Sequence, residues 1–172
     1  MFPIKPHIWF DQDKAQEAAE FYASLMPDSA LNYVNHFAMP GGGECEIVEF
    51  TVAGQPFLGI SSGHGALEIS PAISFMINFD PSRDPDASSR IDQVWNKLLP
   101  GGKVMMPLDR YPFSERYGWI SDKYGVSWQV VPEALIRYIN DPDSKKSSAV
   151  MQVMMKMKKI IIKDIEAAYQ GA

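Results

Sequence analysis

Cysteine is nearly absent. Cys45 stands alone among 172 residues, so no internal disulfide can form, and a reducing cytoplasm is the expected compartment. Long apolar runs are missing too. No stretch approaches the roughly 20 residues of a membrane helix, and Met1 to Phe10 has neither the basic nor the apolar region of a secretory signal. Positive charge is not in excess: 16 Lys and Arg face 21 Asp and Glu, a net charge of −5, which removes the global basic field that would hold nucleic acid. Histidine is scarce, and neither His36 nor His64 has a second donor at metal-ligand spacing. No G-x-S-x-G elbow and no placed His/Asp pair accompanies Ser61, Ser62, Ser74 or Ser127, so a serine nucleophile is not expected. Gly63-His64-Gly65 follows a strand, yet Ala66 to Pro71 is too short and too proline-limited to be the helix that an S-adenosylmethionine site needs.

What the chain does contain is a repeated pattern. At this length it suits one domain, or two half-size modules sharing a core, and it can bury a substantial interior. Gly118 to Pro132, G-W-I-S-D-K-Y-G-V-S-W-Q-V-V-P, reads as a hairpin: a strand through Trp119 and Ile120, a turn on Asp122 to Gly125, and a strand from Val126 to Val131 that Pro132 ends. Gly54 to Ser61, G-Q-P-F-L-G-I-S, echoes its second half. Aligning Gly54 with Gly125 sets Phe57 on Trp128, Leu58 on Gln129 and Ile60 on Val131. A strand and an amphipathic helix precede each copy, which predicts an internal duplication.

In chain order, Ile4 to Phe10 alternates, with His7 and Trp9 on one face and Ile8 and Phe10 on the other. Asp11 and Asp13 are expected to cap a helix that uses Ala15, Ala18, Ala19, Tyr22 and Leu25. Strands are expected at Leu31 to Phe37, Glu44 to Val52 and Pro56 to Ser61, with a turn at Pro40 to Gly43, making βαβββ. The second module opens with Ile73, Phe75, Ile77 and Phe79 on one face of a strand and Ser74, Met76 and Asn78 on the other. A helix through Ile91, Val94, Trp95, Leu98 and Leu99 follows a polar insertion, and Pro100-Gly101-Gly102 closes it. Val104 to Met106 then starts a strand, an aromatic and charged loop occupies Leu108 to Tyr117, and the hairpin completes βαβββ again. Glu133 to Tyr138 reads as a short helix and Ser148 to Tyr169 as one long helix. The stripe Val150, Val153, Met154, Met157, Ile161, Ile165 and Ala168 on it suits docking on its own domain or on a second subunit, so a homodimer is expected.

The paired modules, the opening H-I-W-F-D-x-D-x-x-x-E-A-A-E-F-Y-A-S-L-M-P-D-S and the closing G-W-I-S-D-K-Y-G-V-S-W-Q-V-V-P resemble the vicinal oxygen chelate superfamily. More closely they are similar to its PhnB-like branch, whose members are labelled as 3-demethylubiquinone-9 3-methyltransferase domains. The resemblance implies an α+β fold: duplicated βαβββ modules, at about 4–62 and 72–132 of a domain 1–135, forming a half-barrel pocket, plus C-terminal helices in a 136–172 extension. Many members hold a divalent metal through the first and last strands of each module. Carried over, those positions fall on His7 and Gln129, with the other two on or beside Ser74 and Leu58.

One imidazole, one amide, one hydroxyl and one hydrocarbon supply no anionic charge, and a catalytic divalent site needs at least three good donors. His7 and Gln129 are therefore weak metal candidates and no resident cofactor is expected. What remains is a pocket lined by His7, Trp9, Ser74, Met76, Asn78 and Gln129, with Tyr111, Phe113 and Tyr117 available from the loop. Such walls suit a small, partly apolar organic ligand, with no nucleic-acid and no membrane partner. The expectation is a cytoplasmic small-molecule-binding protein. The alternatives are a metal-dependent isomerase, lyase or dioxygenase, and a dimeric resistance-type protein that sequesters an aromatic compound.

Overall fold

The computed structural model describes residues 4–40, 42–63, 67–80, 84–111, 114–132, 138–139, 141–156 and 162–172. The chain divides into two compact units, Met1–Ile69 and Ser70–Ala172. The first unit contains β1 (His7–Trp9), α1 (Ala15–Ala23), β2 (Ala30–Ala38), β3 (Glu44–Val52) and β4 (Gln55–Ser62). The second contains β5 (Phe75–Phe79), α2 (Ala87–Leu98), β6 (Lys103–Tyr111), β7 (Ser114–Ser121) and β8 (Ser127–Pro132), followed by α3 (Ser144–Lys156) and α4 (Ile162–Gln170). Each unit forms one four-stranded sheet, ordered β1-β4-β3-β2 and β5-β8-β7-β6. In both, the first strand runs parallel to the last and the remaining pairs are antiparallel. The chain is thus an α+β protein of duplicated βαβββ modules.

The duplication extends to the turns. Gly54 and Gly125 have φ of 79° and 84°, a left-handed conformation that glycine adopts without steric cost. Aromatic stacking fixes the first module's interior: Tyr22 of α1 lies 5.5 Å from Phe50, and Phe50 lies 5.3 Å from Phe57. Burying each such ring contributes about 1.5–3 kcal/mol. In the second module, Ile91, Val94, Trp95 and Leu98 form the buried stripe of α2. Trp95 comes so close to β7 that a Cβ on Gly118 would sit 2.5 Å from its ring, so the bare glycine backbone is what lets this helix dock.

Several expectations are corrected. Neither Asp11 nor Asp13 caps α1: Lys14 holds the N-cap position without a side-chain bond. Glu46 of β3 instead accepts the Ala15 N–H at 3.0 Å and the Gln16 N–H at 3.3 Å. Ile73 precedes β5 and is 75% exposed rather than buried on its face. The described residues of Leu108 to Tyr117 are strand rather than loop. They supply the end of β6 and the start of β7, paired with register shifts between Val104 and Tyr111.

The long helix expected over Ser148 to Tyr169 is two helices, α3 and α4. Val150 and Ile165 share one core cluster with Tyr138, whereas 15 residues of a straight helix would hold them about 22 Å apart. Tyr138 donates to Glu166 at 3.2 Å and Tyr169 to Asp141 at 2.6 Å, tying this small core together. Most of the short helix expected at Glu133 to Tyr138 lies outside the described residues. No helix among the described residues is long and apolar enough to cross a membrane.

Candidate functional site

The second module gathers polar side chains on the sheet face opposite α2. Alternation along β5 sends Ile77 and Phe79 into the core and leaves Met76 and Asn78 exposed on the other face. Met76 stands opposite Gln129, and Gln129 opposite Trp119, so the three form one cross-strand row over β5, β8 and β7. Gln129 is the centre. Its Nε2–H donates to Ser74 Oγ at 2.7 Å, and its Oε1 accepts from the Tyr117 hydroxyl at 2.8 Å. Hydrogen bonds on both ends orient the amide and leave one N–H and one lone pair for a ligand.

Aromatic side chains wall this group. Tyr111 meets Tyr117 edge-on with ring centroids 5.9 Å apart, and the Tyr111 hydroxyl donates to the Pro107 carbonyl at 2.9 Å. The Trp119 indole donates to Ser127 Oγ at 2.7 Å, which fixes its ring on the same face. Burial pushes the Tyr117 pKa upward from its ordinary value, and the neighbouring Tyr111 adds in the same direction. Tyr117 is therefore a neutral phenol at physiological pH and a donor to the amide.

The hairpin behind this face is set by Asp122, which is buried. Its Oδ1 accepts from the Tyr124 and Val126 N–H groups at 2.8 and 3.0 Å, and its Oδ2 from the Trp128 indole at 2.9 Å. These bonds close the turn and pin Trp128, the residue before Gln129. Asp122 is thus a turn-building carboxylate.

The corresponding row of the first module reads differently. His7 pairs with Leu58 and Leu58 with Glu49, so the duplication equates His7 with Met76 and Leu58 with Gln129. His7 is exposed, Trp9 is half-buried, and Glu49 is taken by Lys5 at 2.6 Å. Thus Ser74, Gln129, Tyr111 and Tyr117 come together with Met76 beside them, Asn78 lies one pleat further along β5, and His7 and Trp9 belong to the other unit. Phe113 lies outside the described residues, as does His64. Reading residues alone missed the Tyr117 and Ser74 bonds to Gln129. Cross-strand alternation would have revealed them had β7 been recognised from Ser114 onward.

The vicinal oxygen chelate fold implies a divalent ion held by the first and last strands of its modules, and the side chains here do not fit one. Those positions carry His7 and Leu58 in one module, Met76 and Gln129 in the other. They offer one imidazole and one neutral amide with a single spare lone pair beside a hydrocarbon and a thioether, and none is an anion to offset dehydration of a hard or borderline ion. Among the described residues, no three His, Cys, Asp or Glu side chains gather as a metal-holding group.

The sequence profile of the 3-demethylubiquinone-9 3-methyltransferase family matches residues 3–131. The chain belongs to this family, the PhnB-like branch of the vicinal oxygen chelate superfamily. A solved PhnB protein from Bacillus cereus bearing the same family name is 34% identical, with a TM-score of 0.65 over 76% of this chain and 99% of that one. A protein from Pseudomonas aeruginosa shares the fold at 20% identity and a TM-score of 0.58, over 77% of this chain and 98% of its own. No curated protein matches the chain. The family profile spans both modules and stops before α3 and α4.

Proposed function

We propose that this is a cytoplasmic small-molecule-binding protein whose ligand lies on the open face of the second module, with no resident metal or other cofactor. The observation that carries the reading is the Gln129 amide, held at both ends by Ser74 and Tyr117 and flanked by Met76, Tyr111 and Trp119. A fixed amide within an aromatic and thioether wall suits an aromatic compound bearing one polar substituent, which the amide orients while the wall supplies contact area. The free Cys45 supports the reducing compartment. The methyl transfer in the family's name is not part of this reading. An S-adenosylmethionine cradle needs a Gly-rich turn between strand and helix, and the links here read D-Q-D-K before α1 and D-P-S-R-D-P-D before α2.

A thermal-shift and calorimetric screen of phenols, quinones and aromatic ketones tests this reading. At least one class should bind with unchanged affinity in chelator. Tyr117→Phe should weaken that binding about fivefold to tenfold, the worth of one hydrogen bond, by freeing the amide to rotate. Gln129→Leu should weaken it further. Binding indifferent to both substitutions, or abolished by chelator, would show that the ligand lies elsewhere or depends on a metal.

A homodimer is proposed separately. Its support is Met155, 82% exposed, with the exposed Met151 one turn away on α3. Because Val150 and Ile165 are already consumed in the local core, this narrower face is what the described residues of α3 offer a partner. Light scattering on the full chain should show a dimer that Met151→Glu/Met155→Glu converts to monomer. A dimer of unchanged strength would exclude this face.

A further inference from the structure

We propose that the first module carries a subsite of its own, for a carbonyl-type oxygen on an uncharged and largely apolar small molecule, built on the indole N–H of Trp9 and the hydroxyl of Ser62. This goes beyond the second-module reading and does not depend on it. Both Trp9 Nε1 and Ser62 Oγ are buried without a hydrogen-bond partner. Ser62 as a whole is only 3% exposed. Buried polar atoms are nearly always paired, so two orphans on one sheet call for an explanation.

They share a face. Ser61 bonds to Glu46 and lies against the Ala15 N–H, so it points toward α1, and the alternation of β4 sends Ser62 to the opposite side. Phe10 packs at a tilt against Tyr22 of α1, with ring centroids 6.2 Å apart, which places Trp9 on that same opposite side. Trp9 stands across from Ile60, two residues before Ser62, so the two are diagonal neighbours. Ile47 stands opposite Ile60 and the buried Cys45 opposite Ser62, giving the pair apolar surroundings.

The chemistry of the donors narrows the ligand. Indole nitrogen can only donate, and a serine hydroxyl can donate into the same oxygen, so the complement is an acceptor with two lone pairs. A carboxylate would also need a cation. Lys5, on this face, is already paired with Glu49 at 2.6 Å, and His7 is exposed to water. A neutral ketone, aldehyde, ester or amide oxygen meets both donors without that requirement. Until it arrives, the two donors weaken the fold with nothing in return, as expected of groups kept for binding.

The test is proton–nitrogen NMR on the labelled full chain, with the Trp9 indole resonance assigned by its loss in Trp9→Phe. Cyclohexanone, methylcyclohexane and cyclohexanecarboxylate serve as probes. Cyclohexanone should move the Trp9 indole proton downfield saturably, and each of the other two should bind about tenfold more weakly or not at all. Ser62→Ala should weaken cyclohexanone about fivefold to tenfold while the melting temperature holds or rises, because an unpaired buried hydroxyl has gone. A hydroxyl kept for structure would lower it. An indole proton that cyclohexanone leaves in place overturns the proposal. So do equal responses to methylcyclohexane, or a Ser62→Ala protein that is less stable or keeps its affinity within about twofold.

Discussion

Asp122→Ala is expected to cost about 3 kcal/mol or more of folding stability, a large share of what a domain of this size possesses. The carboxylate is 4% exposed and accepts from Tyr124 N–H, Val126 N–H and the Trp128 indole. Hydrogen bonds to a charged acceptor contribute about 1.5–3 kcal/mol each, though not additively, and truncation strands donors on the buried Val126 and Trp128. Urea unfolding should show a lower midpoint at an unchanged slope. Asp122→Asn should fall between, since one oxygen can still serve the turn while an amide NH2 now confronts a donor. A loss under about 1 kcal/mol for the alanine variant would mean that water replaces the carboxylate, against the burial described. Because Trp128 precedes Gln129 on β8, ligand binding on the second-module face should weaken in parallel.

The parts of the fold that could be read from residues are those where burial is one-sided. Val48–Val52 and Phe57–Ser61 alternate because one face packs on α1, and the glycines at Gly54 and Gly125 punctuate the hairpins. Strand β6 hides its nature. It is an edge strand exposed along most of its length, carries Pro107 and register shifts, and so shows no apolar rhythm. That concealment assigns Tyr111 and Tyr117 to a loop, although they lie on adjacent strands. The C-terminal segment misleads in the opposite way. Its Met and Ile stripe keeps helical spacing in the sequence, yet Val150 packs in one core with Ile165 and Tyr138, which a single straight helix would not allow.

For the candidate sites, the resemblance to the vicinal oxygen chelate superfamily points to Gln129, because its members use the last strand of each module, and the duplication only sets Leu58 opposite it in the alignment. The partners of Gln129 depended on register. In the sequence Ser62 reads only as a candidate nucleophile, since neighbouring serines look alike there, and the parity of β4 separates the bonded Ser61 from the unpaired Ser62.

Glu46→Ala is expected to cost about 2 kcal/mol, because one carboxylate replaces the missing cap of α1 from 31 residues away. Glu46 Oε2 accepts from Ala15, Gln16 and Ser61 together, the last at 2.7 Å, and Ala15 is fully buried. Without it, the Ala15 N–H keeps only a 3.3 Å contact with Ser61, and the negative charge that suits a helix N-terminus is gone. Glu46→Gln should lose about half as much, retaining an acceptor without the charge. A double-mutant cycle separates the cap from generic packing. Ser61→Ala should cost about 1 kcal/mol alone, and the Glu46→Ala/Ser61→Ala pair should cost less than the sum by about 1 kcal/mol, since each single change already breaks their shared bond. Strict additivity would mean that Ser61 and Glu46 serve the helix independently. The coupled result would show that the α1 cap also fixes the facing of β4, and therefore which way Ser62 points.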